Sequence, residues 1–150
     1  MRNSAISSSL AVLADVTHVV LRVGAGLLFI QHGLQKLFGI LGGRVAAMDS
    51  LLGVAGVLEL VGGTLLVLGL LTRPVAFILA GEMASAYLMA HHPRGGFPVQ
   101  NGGELPLLFA LIFLFLVGHG AGPLSLDAWW RRARGRHDVP TGAGRRRRAA

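Results

Sequence analysis

The sequence predicts an all-α membrane protein, a bundle of four transmembrane helices with both termini in the cytoplasm. Three observations predict this fold: four apolar segments separated by short polar connections, a mean hydropathy of +0.61, and arginines concentrated at the C-terminus. No segment alternates between apolar and polar residues in the way that a half-buried strand does. A chain of 150 residues is long enough for one domain.

The first span is predicted from Val16 to Phe38. Residues 1–15 are rich in serine, and we expect them to form a loose or surface-lying cytoplasmic lead-in. The first span is the most polar of the four because Arg22, His32 and Lys36 interrupt it. Long basic side chains near the ends of a span can extend to the membrane interface, so these charges are compatible with a crossing.

The second and third spans are predicted over Leu51–Leu71 and Pro74–Ala90, and the very short turn between them predicts a helical hairpin. Both are close to the ~20 residues that cross a hydrocarbon core of ~30 Å. Small residues recur at helical spacing in both spans, which favours close packing of helices in lipid. They are Gly56 and Gly63 on the second span and Ala76, Ala80 and Ala84 on the third.

The fourth span is predicted over Leu105–Val117, after a polar, glycine-rich loop. Trp129 and Trp130 then mark an interfacial aromatic belt. We therefore divide the chain into the lead-in, a membrane domain over residues 16–127 and a basic cytoplasmic tail over residues 128–150. Because arginines accumulate on the cytoplasmic side of membrane proteins, the tail predicts that both termini are cytoplasmic. Its arginines are Arg131, Arg132, Arg134, Arg136 and Arg145–Arg148.

Composition excludes several classes of function. The chain has no cysteine, so disulfides, CxxC redox chemistry and thiolate metal sites are excluded. We interpret the arginine-rich tail as a segment that touches anionic lipid and binds no nucleic acid, because no interleaved aromatics or nucleic-acid fold accompany it. We predict no metal site, because the adjacent His91 and His92 do not share a helix face.

Two carboxylates interrupt the otherwise apolar second and third spans. Glu59 and Glu82 are the single charges of those spans, and a carboxylate at mid-bilayer is costly unless it is paired or neutralised. Helical rise places Arg22 near the depth of Glu82 and His32 near the depth of Glu59, so we predict these two buried pairs. They could be structural clamps, or His32 and Glu59 could be catalytic groups that exchange protons at a quinone-type site.

A second polar group is predicted at the outer face of the membrane, where it would form a candidate ligand site. A glycine-rich segment bearing one aromatic residue could close over a small planar molecule there, or it could only cap helix ends through backbone hydrogen bonds. The residues of this group are Lys36, His91, Phe97, Asn101 and Glu104.

Several motifs occur in a fixed order between residues 16 and 127. Together they resemble the DoxX family of small four-helix bacterial membrane proteins. The resemblance implies a multi-pass protein of the bacterial inner membrane whose relatives are linked to quinone-dependent and stress-related oxidoreductase systems. The motif residues are Arg22, Gly26, Phe29, His32-Gly33 and Lys36, then Gly56, Glu59, Gly62-Gly63, Gly69 and Thr72-Arg73-Pro74, and finally Glu82, His91, Gly96-Phe97, Asn101–Glu104 and Gly122–Asp127.

From the resemblance and the buried charges we expect an accessory subunit of a membrane oxidoreductase system, at most one part of an enzyme complex. Quinone is the cofactor considered, and soluble or membrane oxidoreductases are the expected partners beside the lipid bilayer. A non-catalytic anchor for soluble enzymes is the main alternative. A small transporter is a weaker one, because the sequence has no internal repeat or pair of broken helices. The oligomeric state stays open.

Overall fold

A computed structural model describes the backbone of residues 2–137 and the side chains of residues 8–134. This part of the chain is helical and contains no strand. The last part of the predicted basic tail, residues 138–150, lies outside the described residues. The helices are α1 (Arg2–Phe38), α2 (Leu51–Leu68), α3 (Thr72–Ala86), α4 (Pro98–Asn101), α5 (Glu104–His119) and α6 (Leu126–His137), and α3 continues as a π-helical turn (Tyr87–His91) and a 3-10 turn (His92–Arg94).

Helix α1 begins at Arg2, so residues 2–15 are helical and not loose, and the expectation that they lie on the membrane surface stays a prediction. No proline or glycine interrupts the sequence before Gly24, and serine is only mildly unfavourable inside a helix. Thr17 donates its hydroxyl hydrogen to the carbonyls of Leu13 and Ala14, which satisfies this polar side chain within the helix. The first span therefore continues a helix that starts well before it.

The helices form two antiparallel pairs, α1 with α2 and α3 with α5, which meet chiefly through α2 and α3. Phe29 of α1 is fully buried and joins the pairs at the centre of the bundle. Its ring meets Phe109 and Phe113 of α5 edge-on, at centroid distances of 4.8 Å and 4.6 Å. Such edge-to-face pairs add to the stability that apolar burial already provides.

Glycines allow α1 and α2 to pack backbone to backbone. A Cβ added to Gly26 would lie 2.7 Å from the carbonyl oxygen of Gly63, and a Cβ on Gly33 would lie 2.6 Å from the amide nitrogen of Leu60. The predicted role of Gly56 and Gly63 in close helix approach is therefore confirmed. Of the alanines predicted to pack on α3, Ala76 and Ala80 are buried and Ala84 is exposed.

The exterior of the bundle is apolar, as expected for helices surrounded by lipid. Within the described residues, two segments are long and apolar enough to cross a membrane, Ser8–Phe38 and Leu51–Leu68, whereas α3 and α5 are shorter, at 15 and 16 residues. The fold is consistent with a helical membrane protein. Large exposed apolar residues include Leu27, Leu28, Val61, Phe77, Ile78, Leu108, Leu111 and Leu114.

The turn between α2 and α3 is short and strained. Helix α2 ends three residues earlier than the predicted span, because Gly69 takes a left-handed conformation with φ of 66°. Leu71 is also left-handed, with φ of 51°, and α3 starts at Thr72, two residues before Pro74. We call this end of the bundle the turn end, and the opposite end, which holds residues 87–104, the loop end.

Candidate functional site

Arg22 holds the turn end together. Its side chain is buried, with 1% of its surface exposed. Nη1 donates a hydrogen bond of 2.7 Å to the Leu66 carbonyl, and Nη2 donates one of 2.7 Å to the Leu124 carbonyl. The guanidinium therefore joins α1 to the end of α2 and to the segment after α5. Because Nη1 and Nη2 both donate to carbonyl oxygens, Arg22 does not form the predicted pair with Glu82.

Asp127 completes this structure at the turn end. Its carboxylate accepts hydrogen bonds from the amides of Leu71, at 2.9 Å, and Thr72, at 3.0 Å. Its own amide donates to the Gly69 carbonyl at 2.9 Å. A negative side chain on the first amides of a helix satisfies unpaired donors and interacts favourably with the helix dipole. We call Arg22, Gly69 and Asp127 the clamp.

Sequence reasoning missed the clamp. One signal could have indicated it: α3 begins after Leu71, which has no side-chain acceptor of its own to cap the helix. A cap must then come from elsewhere in the chain. Only glycine fits at position 69 of the clamp, because a Cβ there would lie 2.1 Å from Nη1 of Arg22. The clamp explains three of the motif residues as structural.

Glu59 forms an ion pair with Lys36 at the α1–α2 interface. Nζ of Lys36 donates a hydrogen bond to Oε1 of Glu59, whose side chain is only 3% exposed. Lysine thus takes the place that the sequence assigned to His32. The close packing explains this, since the Lys36 stem runs over Gly56, where a Cβ would lie 3.0 Å from the Cβ of Lys36. Oε2 of Glu59 has no hydrogen-bond partner within the described residues.

His32 and His91 lie beside this ion pair, and with it they line one cavity of about 150 Å³ near the loop end. His32 contacts Phe29 edge-on, with a centroid distance of 6.5 Å. The remaining walls are mostly apolar. The structure therefore brings His32, Lys36, Glu59 and His91 together. The apolar wall residues are Phe29, Met83, Ala86, Leu105, Pro106 and Phe109.

A second, larger cavity of about 310 Å³ lies between α2 and α3. Lys36 lines both cavities, and Glu82 lines the larger one. Both carboxyl oxygens of Glu82 are buried and have no hydrogen-bond partner in the described part of the chain. Lys36 therefore pairs with Glu59, while the carboxyl group of Glu82 at the second cavity has no described partner.

The outer-face residues predicted to join a ligand site divide into three groups, of which the first, Lys36 and His91, lines the smaller cavity. Asn101 is 5% exposed and organises the loop, since its side chain donates to the Gly95 carbonyl and accepts from the Gly103 amide, both at 2.8 Å. Phe97 and Glu104 are exposed and line neither cavity. The bonds of Asn101 match the alternative in which the loop caps helix ends.

The arrangement offers hydrogen bonding and proton exchange to a small polar group in an apolar setting. Among the described residues, no three His, Asp or Glu side chains are placed to hold a metal ion. The ammonium of Lys36 can donate, the imidazole of His32 can donate or accept, and the free carboxyl oxygens can accept. The site residues therefore suit a ligand with a polar head and an apolar body.

Comparison with known proteins gives matches over most of the chain. The DoxX family model matches residues 17–92. An uncharacterised protein of Haemophilus influenzae is 48% identical over 114 residues, which cover 71% of this chain and 85% of the relative. An uncharacterised membrane protein of Mycobacterium tuberculosis is 32% identical over 127 residues, covering 73% and 78%. A Bacillus subtilis protein named "Putative oxidoreductase CatD" is 29% identical over 118 residues, covering 75% and 86%. No solved structure gave a significant match.

Proposed function

The chain belongs to the DoxX family of membrane proteins, and we propose that it is an accessory subunit of a quinone-linked oxidoreductase system in the bacterial inner membrane. The observation that carries the proposal is the ion pair between buried Glu59 and partly buried Lys36, with His32 and the unpaired carboxyl of Glu82 beside it in an apolar bundle. Ionisable residues inside membrane bundles mark ligand or proton sites more often than they add stability. The name of the Bacillus relative supports a link to oxidoreductases.

The larger cavity suits the shape of a quinone. Its walls are apolar from Leu51 and Ala90 at the loop end to Ile78 deeper in the bundle, and its polar residues are Lys36, Glu82 and Ser85. A polar ring would lie at Lys36, which lines both cavities, so that Glu82 faces it from the larger cavity and His32 and Glu59 face it from the smaller one, while an isoprenoid chain follows the apolar walls of the larger cavity. Because the larger cavity lies between helices with an apolar exterior, such a ligand would enter from the lipid.

Proton transfer is the chemistry that these residues can supply. Reduction of a quinone to a quinol consumes two electrons and two protons. In this proposal a partner oxidoreductase supplies the electrons, and His32 and Glu59 conduct protons to the ring oxygens while Lys36 orients it. The chain is then one part of an enzyme complex.

We also propose four crossings, by α1, α2, α3 with its π-helical turn, and α5, with both termini in the cytoplasm. The arginines of α6 support this orientation by the positive-inside rule. Because the chain has no native cysteine, single cysteines at Phe97 and at Arg136 can be labelled selectively. We expect a membrane-impermeant maleimide to label Phe97→Cys in intact spheroplasts and Arg136→Cys only after lysis. The reverse pattern would contradict the topology.

Quinone binding to the detergent-solubilised protein tests the site. We expect His32→Gln and Glu59→Gln each to weaken the binding of a short-chain ubiquinone by about tenfold, the effect of losing a hydrogen bond of about 1.4 kcal/mol. His119→Gln is the matched control, since His119 is exposed and lines a separate cavity with Asp15 and His18. Unchanged affinity in both site variants, with folding intact, would exclude this mechanism. The non-catalytic anchor for soluble enzymes would then be the better account.

A further inference from the structure

Helix α6 takes no part in the proposed ligand site. It carries an exposed face with two tryptophans and, beside it, exposed arginines. Leu126, Trp129, Trp130 and Ala133 follow the i, i+3, i+4, i+7 spacing that places residues on one helix face. On that face Leu126 is 40% exposed, Trp129 67% and Trp130 49%. The described arginines of α6, Arg131, Arg132 and Arg134, are all exposed.

The first turn of α6 is fixed to the bundle. Ala128 lies there and is buried, with 5% of its surface exposed. Asp127 in the first turn holds the amides of Leu71 and Thr72, and the Ser125 hydroxyl caps the amide of Ala128 at 3.1 Å. The helix therefore points its tryptophan face away from the bundle at the turn end.

Arg134 lies against the tryptophan face. Its guanidinium carbon is 5.0 Å from the centre of the Trp130 ring. A guanidinium stacked on an aromatic ring keeps its N–H groups free at the edge, and these match the oxygens of a phosphate in pairs. Indole rings prefer the headgroup region of a membrane, where the ring is shielded and its N–H remains hydrated. The same short helix thus combines two features that suit a lipid headgroup layer.

We propose that α6 is an interfacial helix that binds anionic phospholipid headgroups, with Trp129 and Trp130 inserted in the interface and Arg131, Arg132 and Arg134 on the phosphates. A nucleic acid would satisfy the arginines but would leave the outward tryptophan face in water. A membrane satisfies both. Because Asp127 and the carbonyl of Leu124 belong to the segment that starts α6, lipid binding also holds the clamp in place. This inference does not depend on the quinone proposal.

Tryptophan fluorescence of the full-length protein tests the inference directly, because the only two tryptophans of the chain lie in α6. The protein would be placed in nanodiscs of phosphatidylcholine with or without phosphatidylglycerol, with brominated acyl chains as quenchers. We expect stronger quenching and a blue-shifted emission when phosphatidylglycerol is present. Raising the salt concentration should reduce the difference, because salt screens charges at a surface.

Variants assign the effect to the arginines. Arg131→Gln/Arg132→Gln/Arg134→Gln should abolish the response to phosphatidylglycerol, since each basic residue near an anionic surface contributes about fivefold to binding. The control Arg44→Gln/Arg94→Gln removes two exposed arginines from other parts of the chain and should keep the response.

Two results would overturn the inference. Equal quenching and emission in both lipid mixtures, with no salt dependence in the wild type, would exclude headgroup binding whether or not the triple variant folds. A response to added RNA in place of phosphatidylglycerol would identify a nucleic-acid surface.

Discussion

Lys36 turns inward to donate a hydrogen bond to Glu59, although it lies in the last turn of α1, where a lysine in a membrane span could extend to the interface. A buried ion pair costs much of its Coulomb energy in desolvation and is often no more stabilising than apolar residues of the same size. Glu59 is buried on its side of the pair, so the pair is weak evidence for a stabilising role and fits a ligand or proton site better.

We expect the Lys36–Glu59 pair to show strong coupling in a double-mutant cycle. Lys36→Met or Glu59→Met alone leaves an unpaired charge in an apolar interface, whereas the double variant leaves none. The coupling free energy should be about 1–3 kcal/mol, as found for residues in direct contact. Unfolding of the purified protein in mixed detergent micelles by added SDS measures it. Additive single effects would show that the two side chains do not interact.

Arg22 and Glu82 should behave differently. The structure ties Arg22 to the Leu66 and Leu124 carbonyls, so the effects of Arg22→Met and Glu82→Met should add within about 0.5 kcal/mol. Arg22→Met alone should be strongly destabilising, because a charge-assisted hydrogen bond contributes about 1.5–3 kcal/mol. The same SDS titration applies. Coupling well above the additive limit would restore the pair that the sequence predicted.

The substitution Glu82→Met is expected to affect quinone binding without reducing the stability of the bundle. Its two buried oxygens have no partner among the described residues, so Glu82→Met should leave the free energy of unfolding unchanged or increase it. The same change should weaken quinone binding, because it removes the polar end of the larger cavity. Ser85→Ala is the matched control in that cavity, since the Ser85 hydroxyl already bonds to the Gly81 carbonyl. Marked destabilisation by Glu82→Met would indicate a structural role.

The sequence predicted a shared depth for His32 and Glu59 but not their pairing. It also placed Arg22 and Glu82 at one depth, although Arg22 lies at the turn end and Glu82 lines a cavity with Lys36. Residue counting from the helix ends placed His32 and Glu59 at one level, and the structure lines one cavity with both. His32 and Lys36 are four residues apart and share a helix face, so both point toward Glu59. Whether His32 or Lys36 bonds to Glu59 depends on the rotation of α1 against α2. This rotation is set by glycine contacts across the interface. Local patterns cannot determine it.

The clamp could not be predicted for a related reason. Asp127 caps a helix that begins 55 residues earlier in the chain, and local rules for helix capping search only the neighbouring residues. The boundaries of α2 and α5 were easier to predict from the sequence, because each helix is an apolar run between glycines or polar residues. Long-range polar contacts therefore account for most of what the sequence did not indicate.

Two glycines of α1 test the close packing against α2. Gly33→Ala should destabilise the bundle, because the added Cβ would lie 2.6 Å from the backbone nitrogen of Leu60. Gly24→Ala is the matched control in the same helix, since a Cβ there meets no atom within 4 Å. Alanine is more favourable than glycine in a helix by up to about 1 kcal/mol, so Gly24→Ala should be neutral or stabilising. Thermal unfolding in detergent measures both, and equal effects would contradict the close approach.

Removing the Asp127 carboxylate should loosen the start of α3. Asp127→Ala deprives the amides of Leu71 and Thr72 of their acceptor, and loss of a helix cap costs about 0.5–2 kcal/mol. Asp127→Asn keeps one side-chain oxygen and should fall between the alanine variant and the wild type. Asp15→Ala is the control, because Asp15 is exposed in α1 and such surface changes stay within about 0.5 kcal/mol. Hydrogen exchange at Leu71 and Thr72 distinguishes a lost cap from general destabilisation. Faster exchange confined to these amides is the expected result, and unchanged protection there would mean that Asp127 does not cap α3.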